Sequence, residues 1–219
     1  MHCVVTAGPT YEPLDQVRRL TNFSTGRLGT ELANHLASCG HEVTLLIGES
    51  ATYSGPRRAA HVEIFSTTAD LEHRLRLASN QPVNAVFHAA AVSDFRFGKI
   101  WAGPGRDELL PSNPGKLSTK HGTLLAELLP TAKIIPQLRD WFPSATLIGW
   151  KYEVEGDRTR ALEWARSQIA ECRTNACVAN GPAYGSGFGL VTATGDSSHW
   201  ANPPALFEAL AELLGARRI

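Results

Sequence analysis

A chain of 219 residues is long enough for one α/β domain with a sizeable core. It is 43% hydrophobic and 19% charged with a formal net charge of +0, a balance that argues against a nucleic-acid partner; no apolar run approaches the roughly 20 residues of a membrane-spanning helix. The cysteines, Cys3, Cys39, Cys172 and Cys177, form neither a C-x-x-C pair nor a zinc-spaced cluster with histidine, and the N-terminus enters a strand directly instead of a signal peptide, so the expectation is a cytoplasmic protein with reduced thiols.

In chain order, His2–Thr6 reads as a strand that breaks at Ala7-Gly8-Pro9-Thr10. Gly26–Ser38 reads as a helix with Leu28, Leu32 and Leu36 on one stripe and Gly40 as its stop. Glu42–Ile47 and His61–Phe65 follow as strands, Thr67–Ala78 as a helix and Ala85–Ala91 as a core strand. The segment Val92–His121, rich in Gly, Pro and charge, reads as a long functional or mobile loop. Thr123–Leu129 looks extended, and Thr131–Phe142 mostly helical with Pro136 near its start. Ala145–Trp150 is expected as strand, Asp157–Glu171 as helix, Ala176–Ala179 and Phe188–Thr192 as strands, and Pro204–Ala216 as the final helix. Strand alternating with helix predicts one Rossmann-like α/β domain over 1–219: a three-layer sandwich with a mostly parallel central sheet and its ligand site at the carboxyl ends of the strands.

The residues after each strand therefore draw attention. Gly8, then Asn22, Ser24, Thr25, Gly26 and Gly29 at the start of the first helix, form the kind of helix mouth that receives an anion, and Arg18, Arg19 and Arg27 add full charges there. The interval between Gly8 and Gly26 is too long for a compact G-x-G-x-x-G fingerprint. Asn22 is either a helix cap or a donor to a ligand carbonyl. Asp94, beyond Ala89-Ala90-Ala91, is either a ligand contact or a solvated cap. Lys116 is either a mobile charge that closes over phosphates or a surface lysine. Trp150 and Asn180, at strand ends, can stack on a base and hold its edge, or pack and stabilise a turn, and His88 reads as a satisfied polar group within a core strand.

Taken together, VTAGPTYEPLDQVRRLTNFSTGRLG, AAAVSDF, GKLSTK, LLPTAKIIPQLRDWFPSATLIGWKYE and ACVAN resemble the phosphopantothenate–cysteine ligase (phosphopantothenoylcysteine synthetase) family, in the family's order from residue 4 to about 190. The resemblance implies that a nucleoside triphosphate activates the carboxylate of 4′-phosphopantothenate as an acyl-nucleotidylate, which the amine of cysteine then attacks. It implies Mg²⁺ with CTP or ATP, and a homodimer. By the same resemblance, Asn22 engages the acyl intermediate beside Arg18, and Lys116 belongs to a closing loop. Ala90, Ala91 and Asp94 contact substrate; Gly8, Ser24, Gly26, Gly29, Lys116, Trp150 and Asn180 bind nucleotide. The metal ligands are left unassigned.

Several positions depart from the bacterial pattern. Lys116-Leu117-Ser118-Thr119-Lys120 stands where K-I-K-K is usual, Trp150 replaces a phenylalanine, and Gln168 and Cys172 occupy two helix positions that are lysines in CTP-using members. The Asn-Phe-Ser-Thr-Gly form and RDWFP look more like ATP-using eukaryotic members, so CTP and ATP both stay open. The flavin-dependent decarboxylase often fused to this ligase is not in the sequence, which suggests a stand-alone ligase. The alternatives are a non-catalytic nucleotide or phosphopantothenate binder, and a short-chain-type NAD(P) oxidoreductase. The second would require a tyrosine with lysine four residues on, and none of Tyr11, Tyr53, Tyr152 and Tyr184 has one.

Overall fold

The computed structural model describes residues 1–104, 110–111 and 115–215. Its first half runs β1 (His2–Ala7), β2 (Tyr11–Pro13), β3 (Arg19–Thr21), α1 (Arg27–Ser38), β4 (Glu42–Gly48), β5 (His61–Phe65), α2 (Thr68–Ala78) and β6 (Ala85–His88). The second half runs β7 (Phe95–Gly103), β8 (Leu110–Pro111), β9 (Thr123–Pro130), α3 (Leu138–Trp141), β10 (Thr146–Tyr152), α4 (Arg158–Cys172), β11 (Ala176–Asn180), β12 (Phe188–Thr192), β13 (Ser197–Trp200) and α5 (Pro203–Gly215).

The large sheet has the order β13-β12-β11-β10-β6-β1-β4-β5. Strands β5, β4, β1, β6, β10 and β11 pair in parallel, while β12 and β13 extend that edge antiparallel. The chain lays three parallel strands outward from β1, returns, and lays three on the other side, so the switch point lies between β1 and β6. The strands near that point are buried on both faces, which is why β1 and β4 read as unbroken apolar runs and not as alternation. One face packs Val5, Phe87 and Val178 under Leu32, Leu36, Leu206 and Leu210 of α1 and α5. The other packs Val4, Leu46 and Val86 under Leu71 and Leu75 of α2 and Leu138 of α3, and a third cluster seats Ala161 and Ala165 of α4 on Cys177. Burial pushes the Cys3 thiol up to about 11 and the Cys177 thiol to about 12, so these two are packing groups. All four cysteines are free.

Four expectations need correction. The interval between Gly8 and Gly26, expected as an inserted loop, holds a hairpin, β2–β3. Strand β6 stops at His88, because the next residues turn away and Ala91 instead bridges to Pro9. The expected loop 92–121 contains the nine-residue strand β7, which pairs antiparallel with β8 and β9 in a separate three-stranded sheet; 105–109 and 112–114 lie outside the described residues. The expected helix over 131–142 shrinks to a 3-10 turn at Ile135–Gln137 and the short α3, since Thr131 N–H is held by Asp94 O at 2.9 Å and Pro136 admits a helix only after it. The expected final helix matches α5, save that Ala216 lies outside the described residues.

Candidate functional site

At the switch point the extensions of β1 and β6 close on each other. Ala91 N–H donates to Gly8 O at 3.0 Å, and Thr10 N–H donates to Ala91 O at 3.1 Å. The turn after β1 works only with glycine: Gly8 has φ +78, and a Cβ on neighbouring Gly48 would lie 2.2 Å from Pro9 O. Gly26, φ +80, opens α1 with no side-chain cap, and Arg27 N–H is met by Thr25 Oγ1 at 3.3 Å. The helix start is thus dressed with small groups and backbone donors, and Ser24 sits half-buried beside it. Gly29 has a packing role: a Cβ there would come 2.6 Å from Ala7 Cβ, so its absence lets α1 lie close on β1.

Asn22 does not cap α1. Its Nδ2 donates to Ala91 O at 3.1 Å, fixing the amide over the crevice and leaving the second Nδ2 proton for another acceptor. The structure thus brings Asn22, Ala90 and Ala91 together with Gly8 and the start of α1.

The segment that carries Lys116 is tied to the β2–β3 hairpin by a latch. The carboxylate of Asp15, 1% exposed, accepts from the backbone N–H of Val17 at 2.9 Å, Arg18 at 2.8 Å and Leu117 at 3.0 Å. Arg18 gives Nε and Nη2 to the same carboxylate and Nη2 also to Leu117 O at 2.6 Å. The bond from Leu117 N–H, with the Arg18 guanidinium, holds the Asp15 carboxyl well below the usual carboxylate range. Arg18 therefore fastens the lysine-bearing segment to the β2–β3 hairpin, and the exposed Lys116 projects beside Val17 and Arg18.

A cavity of about 440 Å³ opens on the other side of β6, bounded by Ala90, Asp94, Lys133, Trp150, Trp164 and Gln168. Asp94 and Lys133 form an ion pair across its mouth. Gln168 Nε2 donates to Cys177 Sγ at 3.2 Å and fills the space above Gly149, where a Cβ would sit 2.2 Å from that nitrogen. Trp150 borders this cavity while packing against the core under α1 and α5. Its Nε1 and Asn180 Oδ1 are buried without a hydrogen-bond partner among the described residues, which leaves both strand-end side chains with unspent polar capacity. Asn180 does not border the cavity.

Residues 1–196 match the DNA/pantothenate metabolism flavoprotein C-terminal domain family. The chain belongs to that family. It is 32% identical over 179 residues to the coenzyme A biosynthesis bifunctional protein CoaBC of Thermococcus kodakarensis, covering 81% of this chain and 40% of that one, so it spans about two-fifths of this relative's length. The crystal structure of the DNA/pantothenate metabolism flavoprotein from Streptococcus pneumoniae superposes with a TM-score of 0.84 at 25% identity, covering 99% of each chain. A Cab2 variant solved with phosphopantothenate-cysteine shares the fold, with a TM-score of 0.73 at 18% identity over 99% of this chain and 85% of that one.

Within this family domain, sequence reasoning missed Asp15, Lys133 and the open side of His88. Asp15 and Arg18 carried an i, i+3 charge signal, but Leu117, the third member of the latch, is 99 positions beyond Arg18. Lys133 sits 39 positions from Asp94 in a stretch expected as helix, and no local pattern joins the two.

Proposed function

We propose that this domain joins 4′-phosphopantothenate to cysteine, with CTP or ATP as the activating nucleotide, and so serves coenzyme A biosynthesis. The carrying observation is the crevice at the switch point, where the Asn22 amide, the Ala91 backbone and an uncapped helix start converge; the lysine segment is latched to the same β2–β3 hairpin that leads to Asn22. A carboxylate oxygen attacks the α-phosphorus and pyrophosphate leaves. The cysteine amine then attacks the acyl carbon, the nucleoside monophosphate leaves, and the amine proton passes to solvent. The second Nδ2 proton of Asn22 stabilises the acyl oxygen as it gains charge, and Lys116 offsets charge on the phosphates. Trp150 borders the cavity offered to the nucleoside, Asn180 on the neighbouring strand end backs that wall, and Asp94 meets the substrate where β6 ends. Names and partners of relatives support this reading: one is a coenzyme A biosynthesis protein and a fold-mate was solved with phosphopantothenate-cysteine.

Among the described residues no group of three or more His, Cys, Asp or Glu side chains is placed to hold a metal. Mg²⁺ would then be carried on the triphosphate oxygens, where it would neutralise the leaving pyrophosphate. The protein acts in the cytoplasm as a homodimer; Phe23, fully exposed, and Val17, Leu20, Leu125 and Leu128 supply apolar surface for the second copy. Light scattering on the purified chain should give twice the protomer mass, and a monomer would remove that part of the proposal.

The reaction itself is tested by supplying 4′-phosphopantothenate, cysteine and Mg²⁺ with CTP or ATP in separate tubes and reading pyrophosphate. Release that requires phosphopantothenate supports the ligase, and the faster tube names the nucleotide. No release from folded protein in either tube would favour the non-catalytic binder, for which Gln168 and Cys172 at two lysine positions are the motivating observation.

A further inference from the structure

His88 is 6% exposed, at the end of β6, and borders the cavity that holds Gln168 and Trp164. Its strand neighbours in register are Thr6 on one side and Gly149 on the other. The Thr6 side is closed by a hydrogen bond: Thr6 Oγ1 lies 3.0 Å from His88 Nδ1 and accepts from Ala90 N–H at 3.1 Å. Thr6 is fully buried, and these are the contacts its hydroxyl makes among the described residues, so the hydroxyl proton has Nδ1 to go to. Nδ1 is then an acceptor, and in the neutral ring the proton resides on Nε2. On the Gly149 side the space above the glycine is taken by the Gln168 amide, whose Nε2 is spent on Cys177 Sγ; Nε2 of His88 borders the cavity there and has no protein partner among the described residues.

Burial drives the imidazole toward the neutral form, with its pKa down at about 4. A neutral donor suits an uncharged acceptor. The walls agree: Lys133 pairs with Asp94 and Lys151 with Glu153, and Val92, Ile134 and Trp164 supply apolar surface. Such a lining favours a planar heterocycle over a triphosphate, which the helix start and Lys116 are better placed to receive.

We propose that His88 is a nucleobase-binding residue, donating its Nε2–H to an acceptor atom on the edge of the base. This rests on the nucleotide reading above. Thr6 is its positioning residue, because the Thr6 hydroxyl selects the tautomer that presents the donor.

Calorimetric titration with CTP and ATP, each with Mg²⁺, tests both levels separately. Wild type should bind one of them, and His88→Leu should bind that nucleotide about tenfold more weakly, the cost of one lost neutral hydrogen bond, with the KM for cysteine unchanged. Base analogues in which one acceptor is replaced by C–H should then reveal the partner: one of them should weaken binding to wild type and leave His88→Leu unaffected. In case the variant folds poorly, ¹⁵N-histidine spectra of wild type read the same point directly. Nε2 should be the protonated nitrogen, and its signal should move when the nucleotide is added. Unchanged affinity in His88→Leu, analogues that weaken wild type and variant alike, or a proton on Nδ1 would overturn the role of His88. Failure of wild type to bind either nucleotide would overturn the nucleotide reading and the assignment with it.

Discussion

At the crevice, backbone touches backbone: Gly8 and Thr10 are bonded to Ala91, and Gly48 lies so close to Pro9 that a Cβ has no room. The segment that carries Lys116 is held differently, by one carboxylate and one guanidinium, Asp15 and Arg18, gripping Leu117. The first arrangement fails when a methyl group is added, because packed backbone cannot yield. The second is released by a single charge change that leaves the core untouched. The ligase proposed above would require a fixed floor and a part that can be let go, duties these two regions are suited to divide.

Breaking the floor should have the largest effect. Gly48→Val forces the Val Cβ into Pro9 O and should cost about 3 kcal/mol or prevent folding, read by urea denaturation. Releasing the latch with Asp15→Asn should lower kcat/KM by about 30-fold through a misplaced Lys116, with little change in Tm. A large drop in Tm would mean that the latch supports the fold and not the loop. Stability should also respond to pH through His88. The native ring resists protonation down to about 4, whereas the unfolded ring takes a proton near 6.5, so the unfolded state gains protons as pH falls and stability is lost. Between pH 6.5 and 5 the loss should reach about 2 kcal/mol and be smaller in His88→Leu. Asn22→Asp should slow amide formation more than pyrophosphate release, because the carboxylate repels charge on the acyl-nucleotide; equal slowing would remove the role given to Asn22. Least of all, deleting the exposed pair of Arg160 and Glu163 should change stability by under about 0.5 kcal/mol.

The same division explains what the sequence disclosed. Runs such as Val43–Ile47 and the stripe Leu32, Leu36 are short-range patterns, and α1, α2, α4, α5 and the large sheet follow from them, save its edge strand β13, which the sequence reading did not expect. The crevice was legible too, since Gly8, Asn22, Gly26 and Ala91 each lie at the end of an element and the parallel topology gathers such ends. What stayed hidden depends on distant partners. Strand β7 is extended because Thr123–Pro130 pairs with it, and the stretch before α3 leaves the helix because Asp94 holds Thr131. His88 looked satisfied from its place in a strand; only the register with Thr6 and Gly149 shows that one nitrogen is engaged and the other open.

The most direct measurement is a quenched single turnover of the protein with radiolabelled 4′-phosphopantothenate, Mg²⁺ and nucleotide, first without cysteine and then with a cysteine chase. The account predicts an acyl-nucleotidylate that accumulates in the absence of cysteine and converts to phosphopantothenoylcysteine on its addition. Amide that forms with no such species, or a labelled substrate that stays unchanged while nucleotide is bound, would contradict it.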